Sequence, residues 1–532
     1  MILALCSFVA AFVLALLLVP VLSKTVAAPM GLLDLPDNNR KLHKRAIPLV
    51  GGIAVFAAIS LTALVMYCLG NSEFGTGQIV LKPGDAKQFI GLLLGGGFLL
   101  LVGIVDDSHG LRGRQKLLGQ IISISILVYF GFNFDRMSIG QTSIYFGTFS
   151  IAIVFLWCLA VTNSINLLDG ADGFAATIGI VMSLAMAAMA MLHPQGRFFD
   201  ALIVLALAGA LAGFLVYNFP PAKVFLGDAG SMLIGFILAA ISIRCMLKQA
   251  TSYAFFAPVA LLAIPFLDTG AAIIRQKLTG RSIYAVDRGH LHHSLAKRGF
   301  GPKTSLLWVG ILCSTTAAGG VFAFIYEQSE YALVSIAIVM FVMIFGRLFG
   351  VAEFQLVYNK AKAIGKSLVR KTNGLNENEI HQSTVQLQGN RNWAEIWNEL
   401  CEFAEDHELN KITFDINLPW IHESFHASRR RTDTSPSENE EWYTQVPLIV
   451  DGKIFGRVEL VASKHCRFSH HDIISNLMKL TADIEPVLRK TAELPVAFET
   501  ASIETGSIET EANGMADQPN DASKSKSSAA TG

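Results

Sequence analysis

The sequence has 532 residues, of which 52% are hydrophobic and only 16% are charged. Soluble proteins carry about 25% charged residues, so this composition indicates a chain that lies largely in lipid. The 42 basic residues balance the 42 acidic ones, and no basic stretch is interleaved with aromatics, which argues against a nucleic-acid partner. The seven cysteines form no CxxC pair, so neither a disulfide framework nor a zinc site is expected.

The first apolar segment covers residues 2–23 and lacks both a basic start and a small-residue cleavage site. We therefore interpret it as a membrane helix rather than a removed signal peptide. A membrane span needs about 20 apolar residues. Further runs of this kind lie near 47–70, 87–105, 117–131, 148–165, 174–192, 200–218, 230–247, 253–274, 305–326 and 331–350. The sequence predicts an all-α polytopic membrane protein with about eleven transmembrane helices.

The connections richest in Lys and Arg follow the first, third and ninth apolar runs, within 24–45, 112–116 and 275–303. Basic connections stay on the cytoplasmic side of a membrane. This distribution predicts an N-terminus outside and a C-terminus in the cytoplasm.

The composition changes after residue 350. A helical pattern at 392–408, an alternating run at 411–418, a hairpin signal at Asp451-Gly452 and a helical pattern at 469–490 indicate a small soluble α+β domain. This segment bears a resemblance to GAF-like sensor domains. We expect a transmembrane domain at 1–350, a basic connector at 351–375, a cytoplasmic α+β domain at 376–494 and a disordered tail at 495–532.

Acidic residues gather at the predicted cytoplasmic ends of helices, where a charge is costly and tends to be functional. Asp106 and Asp107 end the third run, and Lys116 follows among other basic residues. Adjacent carboxylates repel each other unless a cation or a proton lies between them. A hard divalent cation with oxygen ligands would relieve the repulsion, and a solvated loop is the alternative interpretation.

Two further polar clusters interrupt the apolar sequence. In TNSINLLDGADGF they are Asn163, Asn166, Asp169 and Asp172, and in YNFPPAKVFLGDAGSM they are Asn218, Lys223, Phe225 and Asp228. An Asp-Gly turn and a helix N-cap are the ordinary alternatives for these patterns. We favour a functional loop for the first cluster because it lies on the same predicted side as Asp106 and Asp107.

A fourth cluster, DRGHLHH, places Asp287 and Arg288 before His290, His292 and His293. Three close histidines suggest zinc, but no cysteine accompanies them and the other clusters are carboxylates, which suit magnesium. We interpret these histidines as pyrophosphate contacts. Asp268, inside the ninth run, is interpreted as structural and paired with a basic residue.

Together and in this order, the four clusters resemble those of the polyprenyl-phosphate N-acetylhexosamine-1-phosphate transferases, over residues 1–350. The segment RKLHKRAIPLVGGI and the DRGHLHH cluster are similar to the undecaprenyl-phosphate GlcNAc-1-phosphate transferase branch. The phospho-MurNAc-pentapeptide branch typically has three consecutive histidines, which Leu291 interrupts here.

The resemblance implies a Mg²⁺ site at Asp107 and Asp228, with Mn²⁺ as a substitute, and catalytic roles for Asp106 as a base for the lipid phosphate and for His290. It also implies a set of substrate contacts. These are Lys44 and Lys116 at phosphates, Asn166, Asp169 and Asp172 in the nucleotide loop, Asn218 and Phe225 near uracil and ribose, and Arg288, His292 and His293 over the diphosphate.

The resemblance implies transfer of GlcNAc-1-phosphate from a UDP-sugar to undecaprenyl phosphate at the cytoplasmic face of the bacterial inner membrane, starting a cell-wall or lipopolysaccharide glycan. A phosphate monoester has a second pKa of about 6 and is largely ionised near neutral pH, so we expect direct attack on the β-phosphorus with release of UMP. A two-step route through an aspartate nucleophile is the alternative mechanism. Phospho-MurNAc-pentapeptide transfer, a transporter, a membrane-anchored sensor and a homodimeric assembly stay open.

Overall fold

A computed structural model describes residues 2–35, 46–70, 84–134, 136–139, 142–193, 196–245, 252–278, 289–346, 380–388, 391–418, 423–431, 441–450, 453–464 and 466–493. The chain divides into two compact units, 1–377 with 383–388 and 378–382 with 389–532. Lys44, Arg288, the predicted connector 351–375 and the predicted tail 495–532 lie outside the described residues.

The first unit is a bundle of α-helices with two short antiparallel strand pairs. The helices are α1 (Ile2–Thr25), α2 (Gly51–Gly70), α3 (Asp85–His109), α4 (Gly113–Tyr129), α5 (Phe149–Leu168), α6 (Phe174–Leu192), α7 (Phe198–Asn218), α8 (Gly227–Cys245), α9 (Ser252–Leu261), α10 (Ala263–Leu278), α11 (Leu291–Lys297), α12 (Pro302–Ile325) and α13 (Glu330–Phe345). The strand pairs are β1 (Leu33–Asp34) with β2 (Ile47–Pro48), and β3 (Arg136–Ile139) with β4 (Thr142–Tyr145).

Eight of the described helices are long and apolar enough to cross a membrane, namely α1, α2, α3, α5, α6, α7, α8 and α12. This count describes an integral membrane bundle. The apolar helix α13 is shorter, with 16 residues, and α4 carries Arg114 and Lys116 in its 17 residues. The predicted eleven spans and the predicted orientation of the termini stay predictions.

The ninth predicted run, 253–274, is not one straight helix. Its two halves, within α9 and α10, meet at a bend of 72°. Pro265 lacks the N–H that would bond the Leu261 carbonyl one turn earlier, and its ring crowds that carbonyl, so the helix breaks there. Counting the bent pair as one span raises the described spans to nine.

Small residues bring α1 and α7 into close contact. Ala11 and Ala15 of α1 are fully buried, and a Cβ added at Gly209 of α7 would overlap the Phe8 carbonyl oxygen. Lipid tails are as apolar as the side chains, so helices in a membrane associate through such close van der Waals packing.

A buried ion cluster joins one end of each of three helices. Arg244, at the end of α8, donates to Asp200 of α7 at 2.6 Å and to Asp85 of α3 at 2.9 Å. It also donates to Gln88. Arg197 lies 3.9 Å from the second oxygen of Asp200. A charge removed from water requires such partners, so the cluster fixes these helix ends to one another.

From residue 380 onward, the described ranges contain a five-stranded sheet and two helices. In chain order the elements are β5 (Ile380–Gln388), α14 (Ala394–Asp406), β6 (Lys411–Leu418), β7 (Glu423–Arg431), β8 (Glu441–Val450), β9 (Lys453–Ser463) and α15 (His470–Glu493). The strand order is β5-β7-β6-β9-β8, and β6 pairs antiparallel with both β7 and β9.

Several elements of the second unit form where the pattern predicts them. The alternating run forms β6 with the predicted bounds because every second residue, such as Phe414 and Ile416, is buried in the core. The hairpin forms as β8 and β9, with Val450 opposite Lys453. The sequence does not predict β5 or β7, since the arginines that end β7 interrupt its alternation. The likeness to GAF-like domains stays a prediction.

The substitution Arg244→Leu is expected to lower the free energy of unfolding by about 3–5 kcal/mol, because it leaves Asp85 and Asp200 buried without their guanidinium. Thermal unfolding of the purified protein in detergent measures this loss. The control Lys87→Leu removes an exposed cation from the first turns of α3, whose Nζ lies 5.8 Å from the centre of the Tyr129 ring, and should lower stability by no more than about 1 kcal/mol. Equal losses in the two variants would contradict the assignment of a buried clamp.

Candidate active site at the ends of helices α3, α5 and α8

Four helices bring the polar clusters to one end of the bundle. Helix α3 ends with Asp106 and Asp107, and α5 ends just after Asn166. Helices α4 and α8 begin at the same end, with Lys116 and Asp228 in their first turns. Helix α8 packs against both α3 and α5. Residues more than a hundred positions apart therefore share one site.

Asp107 binds the start of α8 directly. Its carboxylate accepts the backbone N–H of Asp228 at 2.8 Å and that of Ala229 at 3.2 Å. The first N–H groups of a helix lack partners within the helix, and that end carries partial positive charge, so a carboxylate is favoured there. The two predicted magnesium ligands, Asp107 and Asp228, are thereby held next to each other.

The close approach of Asp107 requires glycine at position 227. Gly227 has a φ of 74°, which favours glycine. A Cβ there would stand 2.5 Å from Asp107 Oδ2. Glycine is therefore needed at position 227 both for its left-handed backbone and for the absence of a Cβ beside Asp107.

Lys116 lies between two carboxylates. Its Nζ is 2.8 Å from Asp106 Oδ2 and 2.8 Å from Asp228 Oδ2. The other oxygen of Asp106 accepts the Leu111 N–H at 2.8 Å. Asp228 exposes 37% of its side chain and Asp106 only 8%, so Asp228 is the more accessible to a ligand. The ammonium relieves the repulsion that two close carboxylates would otherwise feel.

Asn166 completes the surroundings of Asp228. Its Nδ2 donates to Asp228 Oδ1 at 2.5 Å and to Ser231 Oγ at 2.9 Å. Each oxygen of Asp228 thus has a partner, one on α5 and one on α4, which fixes the carboxylate in the site.

The predicted nucleotide-site residues tie two loops together. Asp172 Oδ2 accepts the Ala222 N–H at 2.9 Å. Asn218 accepts the Gly173 N–H at 2.9 Å and donates to the Val224 carbonyl at 2.8 Å. Both ends of the Asn218 amide therefore bind backbone. The half-buried Phe225 lies in the second of these loops. The predicted contacts of these residues with uracil and ribose stay predictions.

Asp169 lies directly after α5, beside the other acids. Burial raises the pKa of Asp169 well above its usual range, and the charges of Asp228, Asp107 and Asp172 raise this pKa further. Such crowding of acids favours either a bound proton or a bound cation.

The buried acid Asp268 holds the histidine cluster. Its side chain is fully buried in α10, with Oδ2 placed 2.7 Å from His290 Nδ1 and Oδ1 accepting the Leu291 N–H at 2.8 Å. Asp268 fixes the orientation of the His290 ring and anchors the start of α11. The sequence shows the signal for this role, an acid within an apolar run, but not the identity of its partner.

His292 packs into the Asp-Gly loop. Its ring meets Phe174 edge to face at 5.7 Å and lies 4.1 Å from the ring of His293. Burial lowers the pKa of His292 well below its usual value, and the neighbouring His293 and His290 lower this pKa further. The ring is therefore neutral at pH 7, and it would meet a phosphate through a hydrogen bond rather than through charge.

The donor set fits a magnesium ion that arrives with a diphosphate. Within the described ranges, no three His, Cys, Asp or Glu side chains form a metal-binding group of their own. Mg²⁺ commonly uses one or two carboxylates and takes its remaining ligands from water and substrate phosphates. Asp228, with 37% of its side chain exposed, and Asp107, held against the start of α8, are the two carboxylates that fit this requirement.

Comparison with known proteins identifies relatives that are polyprenyl-phosphate N-acetylglucosamine phosphotransferases by name. The family model for glycosyl transferase family 4 matches residues 89–246. A probable undecaprenyl-phosphate N-acetylglucosaminyl 1-phosphate transferase of Bacillus subtilis (strain 168) is 30% identical over 309 residues, covering 57% of this chain and 81% of that protein.

Two further relatives show similar coverage. A decaprenyl-phosphate N-acetylglucosaminephosphotransferase of Mycolicibacterium smegmatis is 30% identical, over 60% of this chain and 82% of that protein. An undecaprenyl-phosphate alpha-N-acetylglucosaminyl 1-phosphate transferase of Salmonella typhi is 28% identical, over 61% and 84%. The chain belongs to glycosyl transferase family 4.

Gly227→Ala is expected to destabilise the protein by more than the left-handed backbone alone explains, because the added Cβ displaces the Asp107 carboxylate. Gly196→Ala is the matched control, since Gly196 has a φ of 64° and open space around it. The control should lose about 1–2 kcal/mol from its backbone conformation. Unfolding midpoints in detergent compare the two variants, and equal losses would remove the steric role of Gly227.

Proposed function

We propose that this protein transfers N-acetylglucosamine-1-phosphate from UDP-GlcNAc to a polyprenyl phosphate and releases UMP. The observation that carries the proposal lies at one end of an apolar helix bundle, where Asp106 and Asp228 both pair with Lys116 and Asp107 binds the start of α8 beside Asp228. The names of the relatives support the choice of sugar and lipid.

The reaction exchanges one phosphoanhydride bond for another. The bond that forms joins a lipid phosphate oxygen to the β-phosphorus of UDP-GlcNAc, and the bond that breaks joins this phosphorus to the oxygen that leaves with UMP. The lipid phosphate is largely ionised near neutral pH, with a second pKa of about 6, so it needs positioning more than deprotonation.

The side chains of the site divide this work. Lys116 offers a cation to phosphate oxygens beside Asp106, which we assign as the base for any remaining lipid phosphate proton. His290, oriented by Asp268, stacks 6.0 Å from His292, whose ring lies against Gly170 beside Asp169. Preorganised groups of this kind stabilise charge as it develops on the leaving oxygen.

Asp107 and Asp228 are the residues that would hold Mg²⁺ or, as a substitute, Mn²⁺. When bound, the ion would neutralise charge on the diphosphate. The carboxylates suit this role because they are already fixed, Asp107 by the start of α8 and Asp228 by Asn166.

We assign the protein to the bacterial inner membrane with the site at the cytoplasmic face. The support is the distribution of basic residues, which favours the ends of α3 and α10 on that side. Such a reaction would begin the assembly of a cell-envelope glycan.

A transporter is the second class of function. It requires acids in the middle of the membrane that bind and release ions. Asp268 lies inside an apolar run, but its side chain is fully buried and bound to His290 and the Leu291 N–H, whereas Asp228 exposes 37% of its side chain. The pairing favours a structural anchor over an ion carrier.

The decisive assay combines purified protein, undecaprenyl phosphate and a panel of UDP-sugars, with UMP release as the readout. We expect release with UDP-GlcNAc only when lipid and Mg²⁺ are both present, and loss of release with a chelator. Turnover of UDP-MurNAc-pentapeptide alone would assign the other branch. Labelled phosphosugar retained on the protein without lipid would favour the two-step route.

Asp107→Asn and Asp228→Asn are each expected to lower kcat for UMP release by about a hundredfold or more, because each removes a negative ligand from the proposed cation. Glu330→Gln is the control, an exposed acid in the first turn of α13. It should retain full turnover. Near-normal turnover of Asp107→Asn or Asp228→Asn would exclude that residue from the metal site.

Removal of residues 376–532 tests whether the reaction belongs to the helical unit. We expect membranes containing the shortened protein to retain transferase activity, because every described residue of the site lies in 1–350. Complete loss of activity from a shortened protein that is still present in the membrane would contradict this assignment.

A further inference from the structure

A buried amide pair lies directly below the acidic site. Asn163 of α5 donates to Gln120 Oε1 at 2.8 Å, and Gln120 of α4 donates back to Asn163 Oδ1 at 3.2 Å. Gln120 is 2% exposed, and its Nε2 also lies 3.4 Å from Met232 Sδ of α8. An unpaired amide at this depth would carry a full desolvation penalty, so the pairing is strongly directional.

Each of these three residues stands one helical turn below a residue of the site. The pairs are Gln120 with Lys116, Asn163 with Asn166, and Met232 with Asp228. Residues three or four apart share one face of a helix. Gln120, Asn163 and Met232 therefore join α4, α5 and α8 along the same helix faces that meet at Asp228.

We propose that Gln120 is a positioning residue for Lys116. Its pairing with Asn163 fixes the position of α4 along α5. A shift of α4 by a single residue would move Lys116 by about 1.5 Å along the axis, enough to break two contacts of 2.8 Å. The inference rests on the proposed transfer reaction.

A second polar contact provides a structural comparison. Trp157 of α5 donates to Ser242 of α8 at 2.8 Å, and both lie more than two turns away from the acidic site along their helices. This contact joins two of the same helices but has no site residue one turn above it. If Gln120 has only a structural role, loss of either contact should have the same effect on kcat for UMP release.

The test compares Gln120→Met, which keeps the length of the side chain, with Ser242→Ala. We expect Gln120→Met to lower kcat for UMP release about tenfold and to leave the KM for UDP-GlcNAc within about twofold. Ser242→Ala should keep kcat within about twofold of the wild type. The exchanged pair Gln120→Asn with Asn163→Gln retains both amides and should restore kcat to within about threefold.

Unchanged kcat in Gln120→Met, or an equal loss in Ser242→Ala, would overturn the positioning role. If Gln120→Met does not fold, the double variant Gln120→Asn with Asn163→Gln tests the positioning role in its place. An active exchanged pair supports the proposal, and a folded but inactive one overturns it. No turnover by the wild-type protein would overturn the proposed function and this inference with it. With an active wild type, the Gln120 variants test the positioning role alone.

Discussion

Repulsion between carboxylates governs this end of the bundle. Asp106, Asp107 and Asp228 lie together at the margin of an apolar helix bundle, where water screens charge poorly. The protein compensates the negative charge with the Lys116 ammonium and the N–H groups that begin α8. The accessible carboxylate of Asp228 suits the cation that we propose a diphosphate brings to the site.

The helices that carry the site are fixed at both ends. Near the site, α3 and α8 are joined through Asp107, while at the opposite end Arg244 joins α8 to α3 and α7. Between these points the helices are apolar and pack by shape. The position of each helix along its axis is set by hydrogen bonds and ion pairs at the two ends, together with apolar packing between them. Packing alone would leave that position less well determined.

Local pattern predicted much of the fold. Apolar runs predicted the long helices, and strict alternation predicted β6 with its bounds. The bend at α9 and α10 also has a local cause, Pro265. β7 was not predictable because its arginines interrupt the alternation. The order of motifs indicated the family, which the relatives confirm.

The partners within the site were less predictable, because they depend on contacts between helices distant in sequence. Asp107 with the Asp228 N–H, Asp268 with His290, and Gln120 with Asn163 all join residues 22 or more positions apart. A sequence shows that an acid inside an apolar run needs a partner, but only the packed bundle shows which residue it is.

The contact between Asp107 and the start of α8 has a genetic consequence. Every single-base change in a glycine codon that alters the residue adds a Cβ, and at position 227 that carbon would meet a carboxylate oxygen. The position is therefore closed to ordinary drift. Active variants of this protein are therefore expected to keep glycine at position 227.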